Sequence, residues 1–128
     1  MELIKTDVLV IGGGSGGLSV AAGAVQMGAR VVLLEGHKMG GDCLNYGCVP
    51  SKALLATASM AHAQGGNAAM GVESAEKSID YGAAKDFVAS VIGQIAPHDS
   101  VARFESLGVD VIEAFGRFIS PTEVQAGD

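Results

Sequence analysis

Val8-Leu9-Val10-Ile11-Gly12-Gly13-Gly14-Ser15-Gly16-Gly17 is the stretch that decides the fold. Four apolar residues in a row, without polar alternation, predict a strand buried on both faces of a parallel sheet. Past the glycines, Leu18, Ala21, Ala22 and Val25 recur at helical spacing up to Gly28, a residue suited to closing a helix. Arg30-Val31-Val32-Leu33-Leu34-Glu35 then reads as a second buried strand. Strand, glycine turn, helix and strand make a βαβ unit, which places the chain in the α/β class, with a parallel sheet at the centre of a three-layer domain.

The turn carries chemistry as well as topology. It satisfies G-x-G-x-x-G at Gly12, Gly14 and Gly17. In that pattern Gly12 permits the tight turn, Gly14 lets a pyrophosphate approach the backbone, and Gly17 lets the helix pack closely on the sheet. Ser15 and Gly16 open the helix, and its free N–H groups and dipole face the phosphate. Glu35 ends the second strand 18 residues after Gly17, where a carboxylate accepts hydrogen bonds from a ribose hydroxyl pair. The competing readings are a turn that serves packing alone and a surface carboxylate at a strand end.

Beyond Gly36 the chain reads as loop as far as Gly47, and as helix from Val49 to about His62, with Pro50 tolerated in the first turn. Gln64-Gly65-Gly66-Asn67 breaks that helix, and Ala68 to Ser78 shows no pattern. Asp80 is placed to cap a long helical stretch with Phe87, Val91, Ile92 and Ile95 on one face, bent at Pro97 and closed by Gly108. Val109 to Ala114 reads as a further strand. Arg117-Phe118-Ile119 and Glu123-Val124-Gln125, joined through Ser120-Pro121-Thr122, read as a small hairpin or meander. Met27, Met39, Met60 and Met70 fit core or loop filling, Lys38 the surface, and His98 a solvated cap at the helix break.

The second candidate site is Gly40-Gly41-Asp42-Cys43-Leu44-Asn45-Tyr46-Gly47-Cys48-Val49-Pro50-Ser51-Lys52. Cys43 falls in the predicted loop and Cys48 at the predicted helix N-terminus, where partial positive charge favours a thiolate. That asymmetry makes Cys48 the stabilised thiolate facing an electron donor and Cys43 the sulfur that exchanges with substrate. Lys52, one helical turn after Cys48, adds a cation able to support thiolate charge or that of a reduced electron donor. Three plainer readings stand beside this one: two ordinary buried thiols, half of a zinc site with His37 and His62, or a purely structural disulfide.

Composition narrows the classes. The chain has 128 residues, enough for one domain or a piece of one and too few for a multi-domain enzyme. With 8 basic and 14 acidic residues the net charge is -6, and no Lys/Arg-rich tract is present to neutralise phosphates or coat an anionic bilayer. Nucleic acid and membrane surfaces are therefore not the expected partners. The apolar stretch Val8 to Ile11 is too short for a secretory or spanning segment, so a cytoplasmic location is expected, and in that compartment two closely spaced cysteines point to thiol chemistry.

Taken together, the glycine turn, Glu35 and the segment Gly40 to Lys52 resemble the class I pyridine nucleotide-disulfide oxidoreductases, whose members include dihydrolipoamide dehydrogenase, mercuric reductase and glutathione reductase. The resemblance spans essentially the whole chain, with Asp80 to Gly108 similar to that family's long helix and Val109 to Gly116 to the strand after it. It implies a Rossmann-like FAD-binding domain with an added β-meander, of which residues 1–128 are the N-terminal part. It also implies an electron path from NAD(P)H through FAD to a Cys43–Cys48 disulfide, and on to a small-molecule or lipoyl-type disulfide or a metal ion. Gly12, Gly14 and Gly17, with Ser15 and Gly16 between them, match the FAD pyrophosphate turn. Glu35 matches the adenosine ribose ligand, Lys52 the lysine near the isoalloxazine, and Gly116 a glycine whose backbone meets the adenine end. Cys48 matches the charge-transfer cysteine and Cys43 the interchange cysteine.

Gly41 and Asp42 belong to the same flavin-facing segment. Asp42 departs from the pattern: the family usually has Thr there, so a hydroxyl contact on the flavin's phosphate side is replaced by a carboxylate that must turn away or be bridged by water. Pro50-Ser51-Lys52 resembles the lipoamide or mercuric type. The resemblance further implies a homodimer, with a catalytic His-Glu pair in a C-terminal interface domain and a separate NAD(P) domain, both outside this chain. The turn at Gly127-Asp128 is read as a break within a longer flavoenzyme, against the alternative of a stand-alone flavin-binding or thiol module. Only part of a flavin pocket is encoded, so weak FAD retention by the isolated chain is expected.

Overall fold

Strand β1 (Val8–Ile11), helix α1 (Ser15–Gln26) and strand β2 (Val31–Leu34) form the expected βαβ unit in the computed structural model, which describes residues 3–76 and 78–128. β1 runs parallel to β2, with Val8 opposite Val31 and Ile11 opposite Leu34. β2 in turn runs parallel to β3 (Val109–Ile112), with Val31 opposite Val109. The sheet order is β1-β2-β3, which puts β2 in the centre. Gly28 closes α1, its N–H donating to the Val25 carbonyl at 3.0 Å.

Alternate residues of the three strands point at α1. Val10, Val31, Leu33 and Val109 pack there with Leu18 and Ala21 of α1 and Phe104 of α5 (Val101–Ser106). Leu33 is fully buried and Val31 nearly so, and burying side chains of this size contributes about 1.5–3 kcal/mol each. The expected burial of β1 on both faces is not observed: Leu9 and Ile11 are exposed on the face away from α1. An apolar run becomes a doubly buried strand only where both faces are covered, and of the three strands that condition holds for the central β2, buried at all four positions.

The predicted hairpin is present as β4 (Gly116–Ser120) and β5 (Glu123–Ala126), antiparallel, with an irregular register between Phe118 and Ser120. It seats against the sheet at Gly116, where an added β carbon would come 2.7 Å from Leu34 Cδ1 and 3.3 Å from Val124 Cγ1.

The helices α2 (Gly41–Asn45), α3 (Cys48–Ala63) and α4 (Tyr81–Ile95) complete the described fold, with a short 3₁₀ turn at Ala68–Met70 in the unpatterned stretch. Asp80 caps α4 as expected, its Oδ1 accepting the Ala83 N–H at 3.0 Å. A 3₁₀ turn, Ala96–Asp99, takes the place of a bent helix at Pro97, and Ser100 caps α5 by accepting the Arg103 N–H. α3 and α4 pack on each other around small residues, and each buries only an alanine, Ala53 and Ala84. The apolar face foreseen on α4 is only partly covered: Val91, Ile92 and Ile95 are half-buried, while Phe87 is exposed. Met39 packs against the sheet core, whereas Met27, Met60 and Met70 lie in solvent. No helix among the described residues is long and apolar enough to cross a membrane.

Candidate active site

The glycine turn lies at the carboxyl end of β1 and starts α1, so the polypeptide reverses direction there without side chains. Gly17 makes the close packing possible. An added β carbon would fall on the Gly12 carbonyl oxygen and reach 3.1 Å from Val10 Cγ1. Two of the turn's N–H groups are already used: Gly12 donates to the Leu34 carbonyl at 2.7 Å, and Gly13 donates to Glu35 Oε2 at 2.6 Å. No described side chain caps α1 at Gly14, and the space beside the Gly16 α carbon is open. The helix start therefore offers uncapped N–H groups and its positive dipole end to an anion, which fits a pyrophosphate.

Glu35 sits just past β2, anchored by its own N–H to the Ile112 carbonyl at 3.1 Å. Its carboxylate is held from two sides, Oε2 by Gly13 and Oε1 by the His37 N–H at 2.7 Å. Each oxygen keeps a lone pair for a further donor, as a ribose hydroxyl pair would supply. The expected spacing of fingerprint and acidic residue thus becomes direct contact between them.

The second segment docks onto the first through backbone. Gly40 donates to the Gly13 carbonyl at 2.8 Å, and Gly14 and Gly40 form a parallel bridge. Gly41 has φ +57°, and an added β carbon would approach Gly14 Cα to 2.6 Å, so glycine is required there on both counts. This contact brings the cysteine segment to the glycine turn.

Cys43 is not in a loop. It is the third residue of α2, a five-residue helix that sequence periodicity does not reveal. Asn45 ties that helix down, its Nδ2 donating to the carbonyls of Met39 at 3.1 Å and Gly41 at 2.9 Å. Cys48 is the first residue of α3, as its expected place at a helix N-terminus requires. The two sulfurs are joined in a disulfide with α carbons 4.7 Å apart. Cys43 is half-buried and Cys48 exposed. Both cysteines therefore stand in first helical turns, and what separates them electrostatically is helix length, five residues against sixteen.

The remaining expected residues divide. Asp42 is exposed in the first turn of α2, and Lys52 is exposed on α3 one turn beyond Cys48. Gly116 lies at the start of β4 against Leu34 and Ile11. Sequence reasoning missed the contact that links Glu35's neighbour to the cysteine segment: His37 Nε2 lies 3.1 Å from the Tyr46 hydroxyl, with Lys38 Nζ 5.3 Å from the Tyr46 ring centroid. Nothing local signals it, because it depends on how the loop after β2 folds back over α2.

The model of the pyridine nucleotide-disulphide oxidoreductase family matches residues 6–121, which contain every one of these groups. The chain belongs to that family. It is 33% identical over 126 residues to a dihydrolipoyl dehydrogenase of Pseudomonas aeruginosa, covering 96% of this chain and 27% of that protein. It is 39% identical over 114 residues to a dihydrolipoyl dehydrogenase of Haloferax volcanii, covering 88% of this chain and 23% of that protein. Among solved structures, the Cu(II) complex of the HOCl-induced flavoprotein disulfide reductase RclA from Escherichia coli superposes with a TM-score of 0.73 at 23% identity. That superposition covers 92% of this chain and 24% of the other, and it supports the fold. This pyridine nucleotide-disulphide oxidoreductase chain thus spans about a quarter of the length of the relatives it matches.

Proposed function

We propose that this chain is the N-terminal, cofactor- and disulfide-bearing part of an FAD-dependent oxidoreductase of the dihydrolipoamide dehydrogenase type. NAD(P)H is the co-substrate, and the dimer contacts lie in other parts of the protein. The observation that carries the reading is the joining of the Cys43–Cys48 disulfide segment to an uncapped glycine turn through Gly40 and Gly41. Gly12, Gly14, Ser15, Gly16 and Gly17 would hold the pyrophosphate of FAD, Glu35 the adenosine ribose, and Gly41, Asp42 and Lys52 would lie along the flavin side. When bound, FAD supplies a two-electron redox centre.

The work of the protein residues is thiol–disulfide exchange. A substrate thiolate attacks Cys43 Sγ, the Cys43–Cys48 bond breaks, and Cys48 leaves as a thiolate. The N-terminus of α3 lowers the cost of that negative charge. The second substrate thiol then attacks the mixed disulfide and releases Cys43, so the substrate ends as a disulfide. The cysteine pair ends reduced and carries the electron pair, with Cys48 as the thiolate; of the two substrate protons one is taken up by Cys43 and the other passes to solvent. The Asp42 carboxylate, at the solvent-facing start of α2, points to a less anion-tolerant flavin-phosphate side than a hydroxyl would give.

The reading is tested on the full-length holoprotein. Dihydrolipoamide oxidation with NAD⁺ is expected, and both Cys43→Ser and Cys48→Ser abolish it. On reduction, the long-wavelength thiolate-to-flavin absorbance persists in Cys43→Ser and disappears in Cys48→Ser. If both variants keep it or both lose it, the division of roles is wrong. Turnover with a metal ion but not with dihydrolipoamide would replace the substrate class.

A further inference from the structure

The loop after β2, from Glu35 to Gly41, is fixed near both ends on a single residue, Gly13. Gly13 donates its N–H to Glu35 Oε2 at 2.6 Å, and its carbonyl accepts the Gly40 N–H at 2.8 Å. Between those points the His37 N–H donates to Glu35 Oε1 at 2.7 Å, and Gly41 donates to the Lys38 carbonyl at 3.1 Å. Three of the four residues that separate Cys43 from Cys48 are fastened to this strap. Leu44, 3% exposed, fills the space that a β carbon at Gly40 would take. Asn45 donates to the carbonyls of Met39 and Gly41. Tyr46 reaches further along the strap, its hydroxyl 3.1 Å from His37 Nε2 and its ring nearly parallel to the imidazole, with Lys38 Nζ 5.3 Å from the ring centroid.

Tyr46 is the last of these fastenings before Gly47 and Cys48. It also ends α2, its N–H donating to the Asp42 carbonyl at 2.8 Å. A disulfide closes more readily when the chain between its sulfurs is already held, because the restraint removes conformations in which the thiols lie apart and raises the effective concentration of one at the other. Leu44 and Asn45 restrain the half of the turn next to Cys43, and the His37–Tyr46 contact restrains the half that leads to Cys48. That contact forms with either imidazole tautomer, since the hydroxyl can donate or accept. We propose that Tyr46, held by His37, is a positioning residue that shifts the thiol–disulfide equilibrium of Cys43 and Cys48 toward the disulfide. The proposal rests on the redox reading of the cysteines above.

The test equilibrates the full-length holoprotein without oxygen in mixtures of reduced and oxidised dithiothreitol, each protein disulfide that is reduced yielding one oxidised dithiothreitol. Free thiols are then alkylated, and the tryptic peptide from Met39 to Lys52, which holds both cysteines, is weighed with and without two alkyl groups. Tyr46→Phe deletes the hydroxyl and keeps the ring. It is expected to shift the equilibrium about threefold toward the dithiol, the net effect of one exposed hydrogen bond, or about 14 mV for a two-electron couple. His37→Ala shifts it by the same factor, and the double variant goes no further than either. An unchanged midpoint in Tyr46→Phe, or a shift toward the disulfide, overturns the proposal and leaves the redox reading standing. Additive shifts in the double variant also overturn it, because the two residues then act separately. An unaltered protein whose peptide stays oxidised in every mixture, or carries free thiols in every mixture, overturns the redox reading and the proposal together.

Discussion

The sheet with α1 and the paired helices α3 and α4 are built on opposite economies of burial. In the first, Val10, Leu18, Val31, Leu33, Phe104 and Val109 converge on one cluster, and Ala21 is completely enclosed. In the second, two helices of 16 and 15 residues bury one alanine each. Leu54, Leu55 and Met60 of α3 remain in solvent. The glycine turn is thus mounted on the well-packed part, and the cysteine pair stands where that part meets the sparsely packed one.

This contrast is broken most directly by paired truncations. Leu33→Ala removes a fully buried side chain and is expected to cost about 2–5 kcal/mol, while Leu55→Ala, at 63% exposed, stays within about 0.5 kcal/mol. Urea denaturation followed by circular dichroism measures both. Equal losses would mean that stability is not concentrated around the sheet.

A smaller effect sharpens the comparison at the turn. Gly17→Ala places a methyl on the Gly12 carbonyl and is expected to destabilise by about 1–3 kcal/mol, because helix and strand must separate. The same substitution at Gly23, on the open side of α1 with nothing near the added carbon, is expected to be neutral or stabilising by up to about 1 kcal/mol, since alanine is the better helix former. A Gly17→Ala chain as stable as the parent would remove close packing as the reason for that glycine.

The smallest effect lies at the edge of the well-packed part. Asp7 accepts hydrogen bonds from the Arg30 side chain and the Arg30 backbone N–H, which lower its pKa from 3.8 to about 2. Since the folded value lies below the unfolded one, the contribution is present above about pH 4 and is lost as pH falls through about 2. Both side chains are substantially exposed, so the gain is slight and screened by salt. Asp7→Asn is expected to flatten the fall in thermal midpoint between pH 4 and 2 at low ionic strength. A pH slope identical to the parent would show that the pair is electrostatically silent.

The βαβ unit was legible because each step has a local cause: an apolar run, glycines at fixed offsets, a helical period and a second apolar run. Glu35 was legible for the same reason, its spacing from the turn being a backbone distance. Helix α2 was not. Five residues are too few for a period to emerge, and the helix exists because Gly40 and Gly41 adopt positive φ against Gly14 while Asn45 clamps Met39 and Gly41. Leu9 and Ile11 show the converse limit, since an apolar run says that a strand can be buried, and the neighbouring layers decide whether it is.

By itself, then, the amino-acid order determined the parallel α/β architecture, the glycine turn and the cysteine pair at a helix start, all set by contacts within a few residues or by backbone reach. Tertiary structure alone decided that Gly40 and Gly41 dock on Gly13 and Gly14, that Cys43 rides a helix, that His37 meets Tyr46, and that Phe115 lies on Gly36. Those contacts join segments whose approach depends on how the layers stack, a long-range outcome that no local pattern of side chains encodes.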